Sequence, residues 1–180
     1  MRLRAYLLLP LVPLVGSACR GPAERSLCAG QDSSAPSVRL PPEGEPGEPM
    51  VISGQVWVGK RRTPVAGARI LVYHTNAEGR YARDDSGYAG AYLCAALRTD
   101  DEGRYHIETI RPGPRPDGPA SHIHFEVTVP WGERFFDSVG FEGDPGLGRM
   151  RAGESWSEIR PVALGEDGTQ RVRKDFWLRY

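Results

Sequence analysis

The sequence predicts an all-β fold, a mainly antiparallel β-sandwich, over residues 50–180. Three observations predict it. Several stretches alternate apolar and polar residues with the two-residue period of a half-buried strand. Glycine (22) and proline (16) recur along the chain and divide it into short elements. No window carries a helical period with matching caps. The 180 residues suffice for one domain with a substantial core. Lys+Arg and Asp+Glu both number 23, so the net charge is formally zero and offers no electrostatic case for nucleic acid as a partner.

Residues 1–18 read as an export leader. Arg2 and Arg4 give a positive start, residues 5–15 are apolar apart from prolines, and Gly16-Ser17-Ala18 is a small-residue cleavage site. The apolar run is too short to span a bilayer as a mature helix. Cys19 then lies where a bacterial lipoprotein carries its acyl groups, although Gly16 stands where a larger aliphatic residue is usual. The membrane is therefore expected as a partner only through a lipid anchor at Cys19, with plain secretion to the periplasm or medium as the alternative. Residues 19–49, rich in Gly, Pro, Ser and Glu, are expected to form a flexible tether, because they lack the apolar surface to offset their ordering entropy. With Cys19 lipidated or removed, Cys28 and Cys94 remain as an even pair in an oxidising compartment. The sequence does not show whether they meet.

Within 50–180 the strand-like runs come in order. Residues 51–58 are β-rich and end at a basic turn. Residues 68–74 follow Pro64 and Gly67. Residues 103–110 alternate cleanly, 121–129 form the longest alternating run, and 171–178 close the chain. Residues 76–97 read as a long loop, and long loops in compact domains are often functional. Trp57, Trp131, Trp156 and Trp177 read as core or rim aromatics.

His122 and His124 are the first candidate site residues. Residues two apart on a strand project from one face, roughly 6–7 Å apart along it. Two imidazoles so placed suit two ligands of one metal, or two partly buried strand histidines bonded to neighbours. His74 and His106 read more simply as strand residues. Tyr81, at the start of the long loop, is either a turn tyrosine or a hard anionic ligand. With an ordinary pKa near ~10, a phenol needs a strong Lewis acid to ionise it at neutral pH.

In order, these residues carry a resemblance. The run from Gly67 to Tyr81, then Arg98-Thr99-Asp100, Gly103-Arg104-Tyr105, residues 109–114, Ser121-His122-Ile123-His124-Phe125 and Phe141-Glu142-Gly143-Asp144-Pro145 resemble the motifs of the intradiol ring-cleavage dioxygenases, the catechol and protocatechuate enzymes. The resemblance spans about residues 51–145. It implies a β-sandwich of the intradiol dioxygenase type and a mononuclear non-haem Fe(III) held by two tyrosines and two histidines. Tyr81, His122 and His124 match three of those ligands. The implied partners are a small aromatic diol and dioxygen, the ring opening between its hydroxyl-bearing carbons.

Three positions depart from the family pattern. The second tyrosinate is expected just after the Pro112-Gly113 turn, where this chain has Arg115. Arginine stays protonated and cannot ligate iron. Arg115 is therefore expected to pair with a catecholate oxygen or a substrate carboxylate. An arginine expected three residues before the first histidine is replaced by Pro119, and a glutamine expected before the Phe-Glu-Gly-Asp run by Ser138. Tyr88 or Tyr92, in the long loop, is the alternative source of a second phenol. The missing tyrosine leaves two further readings open: a non-catalytic cell-surface binding module on the same sandwich, and a metal enzyme of different chemistry with a three-ligand site.

Overall fold

A computed structural model of the chain describes Cys28 and residues 31–82, 91–115, 118, 120–147 and 158–179. The leader, Cys19, Tyr88, Pro119 and Trp156 lie outside the described residues. Regular structure among the described residues is twelve strands: β1 (Ser37–Arg39), β2 (Pro49–Val58), β3 (Thr63–Pro64), β4 (Arg69–His74), β5 (Cys94–Arg98), β6 (Arg104–Ile110), β7 (His122–Thr128), β8 (Arg134–Phe141), β9 (Glu158–Arg160), β10 (Ala163–Leu164), β11 (Gln170–Arg173) and β12 (Phe176–Leu178). They form the expected sandwich. One sheet runs β1-β6-β2-β11-β10, with β3 and β12 also on β2; the other runs β5-β4-β7-β8-β9. The long ladders, β2–β6, β4–β5, β4–β7 and β7–β8, are antiparallel. The short strands β1, β9, β11 and β12 add in parallel to β6, β8 and β2.

Alternation decides which side chains fill the space between the sheets. Ile52 and Val56 of β2, Ile70 and Val72 of β4, Ile107 of β6, Ile123, Phe125 and Val127 of β7, and Val139 and Phe141 of β8 form one buried cluster. Burying each such side chain is worth roughly 1.5–3 kcal/mol. Gly54 interrupts this pattern in β2 for a steric reason: a Cβ there would lie 1.7 Å from the Lys174 carbonyl oxygen. Lys174 itself is buried and held between Asp137 (2.5 Å) and Glu158 (3.0 Å), joining the end of β11 to the opposite sheet.

Two sequence expectations are corrected here. Residues 31–49, read as part of the tether, are ordered into the fold. Ser33 N donates to Ala96 O of the edge strand β5, and Ala96 N donates back to Gln31 O; then β1 pairs with β6 and Leu40 enters the core. This segment crosses from one sheet edge to the other and closes one side of the sandwich. Its few apolar residues suffice because backbone pairing on two sheet edges supplies the rest. The long loop is also shorter than expected, since Cys94–Arg98 is strand β5.

Cys28 and Cys94 form a disulfide across 66 residues, with Cα atoms 5.6 Å apart. The bridge lies on the outer side of the five-stranded sheet, in a small cluster with Leu71, Tyr81, Ala91 and Ala96. Cys94→Ser is expected to lower stability by about 2–4 kcal/mol, since a closed loop of this length restricts the unfolded chain. Denaturant midpoints read this; equal midpoints for the oxidised protein and the variant would contradict it.

Candidate metal centre

The core claims Ile123, Phe125 and Val127 from one face of β7, so His122 and His124 stand on the other, the outer face of the five-stranded sheet. Tyr81 reaches the same place from the turn that follows β4. Asn76 shapes that turn: its Oδ1 accepts from the N–H groups of Glu78 (3.2 Å) and Arg80 (2.9 Å), and its own N–H donates to Arg80 O (2.8 Å). The turn packs directly on the segment after β6. A Cβ on Gly79 would lie 2.2 Å from Pro114 O, and one on Gly113 2.1 Å from Ala77 O. The Glu-Gly-Arg-Tyr and Pro-Gly motifs are thus two halves of one close backbone contact.

Three ring donors meet. Tyr81 Oη lies 2.9 Å from His124 Nε2, which lies 2.9 Å from His122 Nε2. The imidazole planes are nearly perpendicular, 88° apart. His122 Nδ1–H donates to the Ala120 carbonyl (2.7 Å), which leaves the lone pair on Nε2, facing the other donors. The His124 ring stacks on Tyr73, centroids 4.8 Å apart and planes 17° from parallel. Tyr73 and His124 are register partners on β4 and β7. Burial pushes both histidine pKa values down, that of His124 to about 4. The Arg115 charge acts on His122 in the same direction. Both imidazoles are therefore neutral at pH 7, the form that binds metal.

This donor set fits an iron ion. Two neutral nitrogens and a phenol oxygen converge from β7 and a separate turn. Their 2.9 Å spacing is that of neighbouring ligands on bonds of about 2.0–2.1 Å. Among the described residues no third His, Cys, Asp or Glu joins them, and the Tyr81 phenol is the further donor within reach of His124. Arg115 lies on the exposed segment beside His122, with Asp144 as the opposing charge on that imidazole. Asp144 is buried, accepts from Gly146 N (2.7 Å) and lies 3.5 Å from Arg111.

Other candidates fall elsewhere. Tyr92 donates its hydroxyl to Glu45 (2.6 Å) on the 41–49 segment, so it is occupied away from the triad. His106 is on the outer face of the other sheet beside Glu108 (3.8 Å). Ser138 is buried on β8 opposite His124. Tyr73 was not singled out from the sequence; its importance depends on the β4–β7 register.

His74 has a structural role. It is fully buried, with Nδ1–H donating to Thr75 O (2.7 Å) and Nε2 accepting from Thr109 Oγ1 (2.6 Å) across the sandwich. Burial lowers its pKa from 6.5 to about 4. The unfolded chain binds the proton more readily, so this contribution is present above pH 6.5 and is lost as pH falls toward 4, on the order of 3 kcal/mol. A flatter acid limb of unfolding stability in His74→Gln is expected; an unchanged limb would assign acid sensitivity to other groups.

Comparison with known proteins places this geometry in context. A family model described as "Dioxygenase" matches residues 21–152. The chain is 29% identical over 140 residues to catechol 1,2-dioxygenase 2 of Acinetobacter lwoffii, covering 66% of this chain and 49% of that protein. It is 36% identical over 118 residues to the protocatechuate 3,4-dioxygenase beta chain of Burkholderia cepacia, covering 57% and 48%. The chain thus spans about half the length of these curated relatives. Among solved structures, the dioxygenase domain of a dioxygenase–carbohydrate-binding protein fusion from Streptomyces sp. SirexAA-E superposes with TM-score 0.65 at 22% identity, over 83% of this chain and 90% of that one. Catechol 1,2-dioxygenase from Pseudomonas arvilla C-1 superposes with TM-score 0.68 at 23% identity, over 84% and 59%.

Proposed function

The chain belongs to the intradiol ring-cleavage dioxygenase family, and on that premise we propose that it opens a catechol-type ring between its two hydroxyl-bearing carbons, using dioxygen and one non-haem ferric ion. The observation that carries this reading is the meeting of Tyr81, His122 and His124 through two 2.9 Å contacts. When bound, ferric iron supplies the Lewis acidity that draws electron density from a chelated catecholate. The chain's own residues do the rest. The Ala120 carbonyl fixes the His122 tautomer, and the Tyr73 stack fixes the His124 ring plane. Tyr81 supplies the one anionic donor and so favours the ferric state. Arg115 places a positive charge near His122, suited to a catecholate oxygen or a ring carboxylate.

The location proposed for this activity is outside the cytoplasm, with processing at Cys19. The Cys28–Cys94 bridge supports it, because such bridges persist in oxidising compartments.

The test is to load the purified chain with ferrous iron, oxidise it, and record its visible spectrum and oxygen uptake with catechols. A reddish tyrosinate band with diol-dependent uptake is expected. A colourless protein that takes zinc in preference would favour a three-ligand enzyme of other chemistry. One that takes neither metal would favour a binding module.

A further inference from the structure

A second surface feature lies at the other end of the sandwich and on its opposite outer face. Trp57 of β2 and Trp177 of β12 are register partners, and their rings stack 5.7 Å apart and 7° from parallel. The 59–62 turn carries Lys60, Arg61 and Arg62, of which Lys60 and Arg62 line one groove with the two rings, and Arg179 follows from β12; all four cations are exposed. Arg62 sits 4.8 Å over the Trp177 ring. It does so with φ 55°, the one non-glycine positive φ among the described residues. Trp57, Trp177, Lys60, Arg62 and Arg179 line a groove of about 450 Å³ with no acidic residue among its described lining.

Charge sets this patch apart. Several surface arginines elsewhere have acids: Arg69 with Asp32, Arg104 with Asp100, Arg171 with Asp167 and Arg173 with Asp175. Lys60, Arg61, Arg62 and Arg179 make no ion pair with any described residue. In a chain of zero net charge, this is a local excess of cations around a 46%-exposed tryptophan.

We propose that this surface docks the protein onto an anionic phospholipid bilayer. Tryptophan beside lysine and arginine is the composition that settles at headgroup level: the indole has an apolar body and a polar tip, and each cation meets lipid phosphate. A sugar polymer is the poorer fit, because it needs a bare indole face, while Trp177 already stacks on Trp57 and lies under Arg62. Position agrees. The patch lies where β4 begins and the triad where β4 ends, about 17 Å along the strand and on the other sheet. A protein resting on the patch keeps the triad's side of the sandwich away from the bilayer. The proposal does not depend on the ring-cleavage reading.

The experiment is vesicle co-sedimentation of the full chain purified from an exporting host. All variants carry Cys19→Ser, so that a lipid group cannot supply the binding. Vesicles are phosphatidylcholine alone, or phosphatidylcholine with a third of phosphatidylglycerol. Binding to the anionic vesicles alone is expected, weakened by 0.5 M salt and accompanied by a blue shift of tryptophan emission. Each cation removed should weaken partitioning about fivefold, so Lys60→Ala/Arg61→Ala loses about 25-fold while leaving the Arg62–Trp177 stack in place. Arg62→Ala and Trp177→Ala should each weaken it further. Equal binding to neutral vesicles, no loss in the double variant, or preferential capture by a soluble anionic polysaccharide would each overturn the proposal.

Discussion

Substituting alanine for either His122 or His124 is expected to abolish iron binding, the largest effect of any single change in the site. The described residues offer three donors, and each imidazole supplies one lone pair from a ring whose orientation is already fixed. Removing one leaves a phenol and a single imidazole, which do not hold iron against water. Weakening the supports should cost less. Tyr73→Leu removes the ring under His124 and is expected to lower affinity by about 10- to 100-fold, the scale of changes just outside a ligand set. Tyr73→Phe keeps the ring and should bind normally. Tyr81→Phe should retain some metal but lose the visible tyrosinate band. Equilibrium dialysis with metal analysis reads all five variants. Full iron occupancy in both histidine variants would place the site elsewhere on the chain.

The parts of this site that the sequence displayed are those set by local geometry. His122 and His124 share a face because the strand period is two, and the core residues that alternate with them, Ile123 and Phe125, declare which face is which. Tyr81 was legible through the resemblance of the Gly67-to-Tyr81 run, and the structure supplies a physical reason for that run, because Asn76 and Gly79 shape the turn. What depends on pairing across the chain was not displayed. β5 reads as Cys-Ala-Ala-Leu-Arg, buried on both faces, so it has no alternation to detect. Residues 31–40 hold few apolar groups and gain their order from the edges of two sheets. The Tyr73–His124 stack exists only in the observed β4–β7 register. The Cys28–Cys94 pairing needed the same kind of long-range information.

Weak or atypical ring cleavage, rather than fast turnover of simple catechol, is the second large expected effect, and Arg115 is its cause. The donor set of Tyr81, His122 and His124 carries one negative charge, where two tyrosinates would carry two. Bound ferric iron should therefore be easier to reduce and its visible band shifted. The second consequence is kinetic. A diol must lose two protons to chelate, and a departing tyrosinate would take one of them. Arg115 is already protonated and cannot. A positioned base is typically worth about 10²- to 10⁴-fold, which sets the size of the deficit. Tyr92 does not fill the gap, since its hydroxyl is committed to Glu45. Activity need not vanish, because a substrate arriving as a monoanion has only one proton left to lose, and raising the pH should help. Arg115→Tyr is then expected to raise kcat with catechol, hydroxyquinol or protocatechuate and to restore a two-tyrosinate spectrum. It should also remove the positive charge that depresses the His122 pKa. If Arg115 instead binds a ring carboxylate, the same substitution should raise KM for protocatechuate more than for catechol. Rates in the unmodified chain already equal to those of its relatives would show that Arg115 is no handicap, and would point to Tyr88 as the second phenol.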